Sequence, residues 1–117
     1  MSFAKRYAKT IAQFDFKPEE DLPYISPKDL YEEDGEGVIY TIKGVYLNRK
    51  SRFGESAVIM TEDFILNAPS HCTEDVQRMR EDALAIEAIN SGKAGFKIYT
   101  YENRYGVQYS VEWKDVE

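Results

Sequence analysis

The segment from Val38 to Asn48 constrains the fold of this chain more than any other part of the sequence. It is rich in β-branched and aromatic residues, which favour a strand, and it carries Gly44 in its interior. An interior glycine weakens a strand and often marks a bulge or a sharp bend. A small barrel needs such a bend so that one long strand can serve two sheets. We therefore expect a β-rich fold in which this strand bends at Gly44.

Hydrophobic periodicity predicts the remaining elements. Strands are expected at 38–48, 55–62, 64–67, 95–102 and 107–116, with a polar turn at 49–54 and a helical pattern at 73–90. Thr73 is a candidate N-cap for the helix, Gly92 lies where a C-terminal cap belongs, and the acid-rich residues 80–82 can divide the helix in two. This order predicts a mainly β protein, an OB-fold-like five-stranded barrel of order β-β-β-α-β-β with one or two helices. An α+β sandwich with the same element order is the alternative.

Residues 1–37 read as an N-terminal arm preceding a barrel domain at 38–117. One apolar stripe of a short helix is predicted from the spacing of Phe3, Tyr7, Ile11 and Phe14. The stripe either docks on DNA or a partner, or packs on the domain. A second short helix is expected after Ser26, with Ser26 as its cap and Pro27 at its first position. We expect a homo-oligomer, with the arm as one candidate contact.

Length and composition exclude several classes of protein. A chain of 117 residues favours a single domain. Its one cysteine, Cys72, excludes an internal disulfide and a Cys-rich zinc site. No apolar run approaches 18 residues, and the N-terminus lacks the apolar core of a signal peptide. We therefore expect a cytoplasmic protein with no membrane partner.

The charge of the chain is divided into segments. The net charge of −6 argues at first against a nucleic-acid partner, because phosphate contacts need Lys and Arg. However, residues 38–54 carry four bases and no acid, whereas 15–37 carry nine acids and two bases. Residues 55–90 are also acidic, and 91–117 carry equal numbers of acids and bases. The total therefore does not exclude nucleic-acid binding.

Residue patterns for catalysis are weak. The one His/Cys pair, His71–Cys72, is adjacent in sequence, so in an extended segment the two side chains would point apart. No glycine-rich phosphate loop occurs, and the acidic clusters at 19–21 and 32–34 resemble solvated loop residues more than metal ligands. We expect no enzyme, no cofactor and no metal site.

A binding surface is better supported. On the strand from Phe96 to Glu102, the residues Lys97, Tyr99 and Tyr101 share one face, opposite an apolar face. Cations that track phosphates and aromatic rings that stack on bases are the means by which proteins hold single-stranded nucleic acid. The alternative is that these tyrosines pack against neighbouring strands. The candidate residues are Lys43, Tyr46, Arg49, Lys50, Arg52, Phe53, Lys97, Tyr99, Tyr101, Arg104 and Tyr105.

Four stretches carry a resemblance to a known group of proteins. They are residues 48–56, 67–71, 88–99 and 109–116, whose sequences include NRKSRFGES, NAPSH, AINSGKAGFKIY and YSVEWKDV. These stretches resemble a family of small proteins carried by phages and mobile elements of low-GC Gram-positive bacteria. Proteins of that size and setting include OB-fold single-stranded DNA-binding proteins. Bacterial single-stranded DNA-binding proteins end in an acidic tail with a terminal Phe, whereas this sequence ends Trp-Lys-Asp-Val-Glu. Recruitment of partners through a C-terminal tail is therefore not expected.

The residues and the resemblance together predict a non-catalytic single-stranded DNA-binding protein. Its expected setting is DNA replication or recombination of a phage or mobile element, alongside the proteins of those processes. The alternative is a protein-interaction module or an acidic DNA-mimic inhibitor that acts on a host or phage protein. The acidic segments at 15–37 and 55–90 motivate that alternative.

Overall fold

The computed structural model describes residues 14–16, 18, 21–51 and 54–116, and for residues 48–51, 54 and 55 it describes the backbone alone. The predicted residues Phe3, Tyr7 and Ile11 of the N-terminal stripe lie outside the described residues. In the described part of the chain, no helix has the length and apolar character needed to cross a membrane.

Seven strands and three α-helices make up the described part of the chain. In chain order they are β1 (Tyr24–Ile25), α1 (Pro27–Asp34), β2 (Tyr40–Thr41), β3 (Gly44–Ser51), β4 (Gly54–Met60), β5 (Ile65–Asn67), a 3₁₀ turn (Ser70–Cys72), α2 (Thr73–Glu81), α3 (Ala83–Asn90), β6 (Ala94–Asn103) and β7 (Gly106–Asp115). The mainly β class is therefore confirmed. The strand β3 extends into the turn predicted at 49–54 and ends at Ser51, with a register shift between Asn48 and Ser51.

The strands form two sheets, of order β1-β5-β4-β3 and β2-β6-β7. The predicted long first strand supplies a strand to each, because β2 pairs with β6 and β3 pairs with β4. The break falls at Ile42 and Lys43, and Gly44 is the first residue of β3. A Cβ atom at Gly44 would lie 2.9 Å from the ring of Tyr46, so glycine lets that ring lie close over the backbone.

The predicted closed five-stranded barrel is wrong for the described residues, whose strands form two sheets and no barrel. Both edges of β5 are occupied, since one pairs antiparallel with β4 and the other pairs parallel with β1. The last strand, β7, pairs only with β6 in the described part of the chain. The segment before the first helix thus occupies the edge that a barrel-closing strand would need.

The helices follow their predicted signals with one exception. The Ser26 hydroxyl accepts a hydrogen bond from the Asp29 amide and caps α1, as predicted. The predicted division of the second helix is also confirmed, because the Asp82 carboxylate accepts from the Leu84 amide and starts α3. Thr73 is not a cap: the 3₁₀ turn runs directly into α2, so Thr73 is already helical, and its buried hydroxyl has no hydrogen-bond partner among the described residues.

The core lies between the two sheets and the helices. Its buried apolar residues are Phe14, Leu30, Ile42, Val45, Ala57, Ile59, Leu66, Cys72, Val76, Ile89, Phe96, Ile98 and Val111. Phe14 and Leu30 belong to the predicted arm at 1–37, so described residues from both parts of the arm pack into the core. Phe14 is 4% exposed and packs edge-to-face on Tyr46, with ring centroids 5.5 Å apart. Phe14 therefore follows the second alternative given for the stripe, packing on the domain.

The hairpin of β6 and β7 is confirmed, and its turn fixes the register. The Asn103 side chain accepts a hydrogen bond from the Tyr105 amide, and Gly106 has φ +102°, which favours glycine. From this turn the ten pairs run from Asn103–Gly106 to Ala94–Asp115. Lys97 therefore lies opposite Glu112, and Tyr99 lies opposite Ser110.

Candidate nucleic-acid interface

One face of the β6–β7 hairpin carries the predicted combination of cation and aromatic rings. We call this surface the hairpin face and define it by Lys97, Tyr99 and Tyr101 with their neighbours Glu112 and Lys114. On the opposite face of β6, Phe96 and Ile98 are buried in the core. Around Phe96 and Ile98 the alternation therefore separates core residues from the half-exposed Lys97, whereas from Tyr99 to Val107 both faces of the strand are exposed.

Tyr99 and Tyr101 are the aromatic part of the hairpin face. Their rings are 39% and 40% exposed, and the centroids lie 6.1 Å apart at an interplanar angle of 39°. All residues from Tyr99 to Val107 are exposed, because this end of the hairpin extends past the core. The two rings thus form an accessible pair that a flat apolar group can contact.

The charges of the hairpin face are arranged around Glu112. One of its carboxylate oxygens lies 3.3 Å from Lys97 Nζ, and the other lies 3.1 Å from Lys114 Nζ. Hydrogen bonds from these ammonium groups, that of Lys114 foremost, hold the pKa of Glu112 below its usual value. Two cations share one carboxylate, so the trio carries a net charge of +1.

A groove of about 590 Å³ runs beside Tyr99 and Glu112. The 3₁₀ turn and α2 form its other wall, with His71, Cys72 and Asp75. His71 Nε2 and the buried Ser110 Oγ share a hydrogen bond of 2.6 Å, and the Trp113 indole N–H donates to Asp75 at 3.1 Å. These bonds hold the 3₁₀ turn and α2 against β7, and Tyr99 lines the groove that remains between them.

The turn adds a second aromatic and cationic pair. The Arg104 guanidinium lies 4.9 Å from the centroid of the Tyr105 ring, and Tyr105 is 74% exposed. Such stacking keeps the cation beside a flat aromatic surface. Of the predicted site residues, five lie on this one hairpin: Lys97, Tyr99, Tyr101, Arg104 and Tyr105.

Two other predicted site residues lie elsewhere. Tyr46 belongs to β3 in the other sheet, where it packs on Phe14 and lies 5.4 Å from the Arg80 guanidinium carbon. Burial raises the pKa of Tyr46, and the charge of Arg80 opposes that rise. Lys43 follows β2 and lines a separate cavity with Asp15 and other residues. The structure therefore does not bring Lys43 and Tyr46 onto the hairpin face.

The remaining predicted residues come from the β3–β4 hairpin. Arg52 and Phe53 lie outside the described residues, and for Arg49 and Lys50 the description stops at the backbone of β3. Their place in a binding surface stays a prediction.

His71 and Cys72 both make structural contacts. Cys72 is 2% exposed in the core, and burial raises the pKa of its thiol to about 11. The His71 ring makes a hydrogen bond with the Ser110 hydroxyl. A thiol so rarely ionised is a poor nucleophile.

Glu112 and Lys114 are the residues of the hairpin face that the predicted site lacked. The signal was present, because a turn centred on Arg104 and Tyr105 sets Lys97 opposite Glu112 by counting back along the two strands. The groove had no such signal, since His71 and Asp75 reach it from another part of the chain.

Comparison with known proteins gives no relative: no family model, no curated protein and no solved structure matches this chain. The resemblance to phage and mobile-element proteins therefore stays a prediction.

Proposed function

We propose that this protein binds single-stranded DNA without catalysis, and that the hairpin face is the binding surface. The single observation that carries the proposal is the pair of exposed rings, Tyr99 and Tyr101, 6.1 Å apart beside Lys97. Successive bases stack on such rings, and each stacked base contributes about 1–3 kcal/mol. Stacking accepts any base, so little sequence preference is expected.

The charge around the rings supports the same surface. Lys97 and Lys114 flank the tyrosines on one side, and Arg104 lies at the turn beyond them. These cations can follow a phosphate backbone along the hairpin. Binding by an open strand face needs no closed barrel.

A titration with labelled oligo-dT tests the proposal at about 50 mM and about 300 mM salt, because phosphate contacts release counterions. We expect binding at the lower salt and clear weakening at the higher one. Replacing Tyr99 and Tyr101 with Ala should lower the affinity about tenfold or more, since two stacking contacts are lost.

Tyr24→Ala is the matched control, because Tyr24 is 64% exposed and lies on β1 in the other sheet. It should leave the affinity for oligo-dT unchanged. Absence of binding at the lower salt, or equal binding by the double variant, would contradict the proposal.

The biological setting and the assembly are part of the same proposal. Such a protein would serve replication or recombination of a phage or mobile element, and a homo-oligomer would lengthen the path for DNA. Light scattering of the full chain and of a chain lacking residues 1–13 tests the assembly. An equal number of chains per particle in the two would show that the arm is not the contact, and one chain per particle in both would contradict the homo-oligomer.

A further inference from the structure

A second aromatic surface lies around α1, and its charge is opposite to that of the hairpin face. We call it the acidic pocket and define it by Tyr24, Tyr40 and Phe64 with Glu33, Asp34 and Asp63. Its volume is about 440 Å³, within the ~300–1,000 Å³ that is usual for ligand sites. The buried Leu30 contributes to its lining, so the pocket reaches down to the core.

The aromatic walls are held in place. Tyr40 packs edge-to-face on Phe64 with ring centroids 5.4 Å apart, and its hydroxyl donates a 2.7 Å hydrogen bond to Asp34. Tyr24 is 64% exposed and lies at the mouth of the pocket. A ligand thus meets two fixed rings and one open ring.

The carboxylates make the pocket negative. No ion pair joins Glu33, Asp34 or Asp63 to a cation in the part of the chain that the structure describes. Between 21 and 37 the sequence has six acidic residues and only Lys28 as a base, so the surroundings add to the negative field. Nor do three carboxylates, histidines or cysteines converge as metal ligands among the described residues. The complementary ligand is therefore an organic cation.

Arginine fits this combination best among the cations of proteins. Its planar guanidinium stacks on aromatic faces and forms paired hydrogen bonds to a carboxylate, which an ammonium group cannot do. A phosphate backbone would be repelled by the three carboxylates. We propose that the acidic pocket binds an arginine side chain presented by a basic segment of a protein partner.

Binding of a labelled pentapeptide, Gly-Arg-Gly-Arg-Gly with blocked ends, tests this pocket. The same peptide with citrulline in place of arginine keeps the shape and removes the charge. We expect the arginine peptide to bind at low salt and the citrulline peptide not to bind. The double variant Glu33→Gln with Asp34→Asn should weaken binding about five- to tenfold, through two lost charge contacts.

Two further variants separate the ring from the charge. Tyr24→Ala should weaken peptide binding about two- to fivefold by removing one cation–π contact. Glu87→Gln, which removes an exposed carboxylate on α3, should change it less than about twofold, as expected for a charge away from the pocket. Thermal unfolding of each variant checks that the fold is kept; Asn at position 34 still accepts from Tyr40.

Several results would overturn the proposal: equal binding of the two peptides, equal binding of the pocket variants and the control, or no binding of the arginine peptide. A chain that self-associates, and loses that association in the Glu33/Asp34 double variant without binding peptide, would show a second copy as the occupant. Oligo-dT binding is a separate readout, because these variants leave the hairpin face intact. Failure here therefore leaves the proposed function standing.

Discussion

The hairpin face and the acidic pocket combine aromatic side chains with charges of opposite sign. On the hairpin face, two tyrosines lie beside cations, and at the pocket, two tyrosines and a phenylalanine lie beside carboxylates. Aromatic rings accept flat or cationic groups alike, so the neighbouring charges select the ligand. The placement of charge, more than the count of aromatic residues, therefore distinguishes the two proposed binding surfaces.

The two regions also differ in their relation to the core. Tyr99 and Tyr101 lie on a part of the hairpin that extends past the core, where both faces are exposed. Tyr40 and Phe64 pack against the core as well as lining the pocket. Changes on the hairpin should therefore affect binding with little effect on stability, whereas changes in the pocket walls should affect both.

The largest effect on stability is expected at a core residue that belongs to one region and packs against the other. Phe96 is fully buried, belongs to β6 and packs on Tyr40 with ring centroids 5.2 Å apart. Phe96→Ala should lower the free energy of unfolding by about 3–5 kcal/mol, because it leaves a cavity in the core. Urea denaturation measures this, with Phe96→Leu as the milder control. A loss below about 1 kcal/mol, which is small for a core substitution, would contradict the role of Phe96 in stabilising both regions.

The reactivity of the Cys72 thiol tests whether small reagents can reach the buried end of the groove beside Tyr99. With a pKa of about 11, only about one thiol in a thousand is ionised at pH 8, against roughly a quarter for an ordinary cysteine. Alkylation by iodoacetamide should therefore be at least about a hundredfold slower in the folded protein than in denaturant, because both the low thiolate fraction and burial slow the reaction. Mass spectrometry over time measures both rates. Equal rates would mean that the groove opens down to Cys72.

Removing the shared carboxylate should sharpen the contrast between the two surfaces. Glu112→Gln frees Lys97 and Lys114, so the hairpin face gains positive charge. Affinity for oligo-dT should rise about two- to fivefold at low salt, and its salt dependence should steepen. Glu87→Gln removes the same charge elsewhere and is the control. Equal gains from the two variants would assign the effect to net charge alone.

The smallest effect is the pH dependence of that same carboxylate. Because its folded-state pKa is lowered, Glu112 adds stability above the usual pKa of glutamate, and that stability is lost as the pH falls through the folded pKa. The difference in urea midpoint between wild type and Glu112→Gln should therefore be small at pH 7 and disappear on acidification. A difference that grows in acid would contradict this assignment.

Local patterns predicted much of the fold. The cap at Ser26, the division at Asp82 and the hairpin around Asn103–Gly106 are set by residues close in sequence, so they could be read directly. The barrel prediction failed because β1, a two-residue strand, pairs with β5, where Tyr24 lies opposite Ile65. A strand of two residues is too short to show a periodic pattern, so its pairing partner could not be predicted from the sequence.

The candidate site divides in the same way. Alternation along β6 separated Tyr99 and Tyr101 from Phe96 and Ile98 without reference to the rest of the chain. The same alternation could not show that Phe14 and Arg80 cover Tyr46, since both come from distant segments.

Local sequence patterns were enough to predict the mainly β class, the cap at Ser26, the division at Asp82 and the turn of the β6–β7 hairpin. These properties depend on period, capping and turn geometry, which act over a few residues. Only the tertiary structure decided that β5 has no free edge, that Tyr46 packs against Phe14, and that Tyr24, Tyr40 and Phe64 meet three carboxylates in one pocket. Such contacts join residues far apart in the chain, and their partners are selected by packing of the whole core.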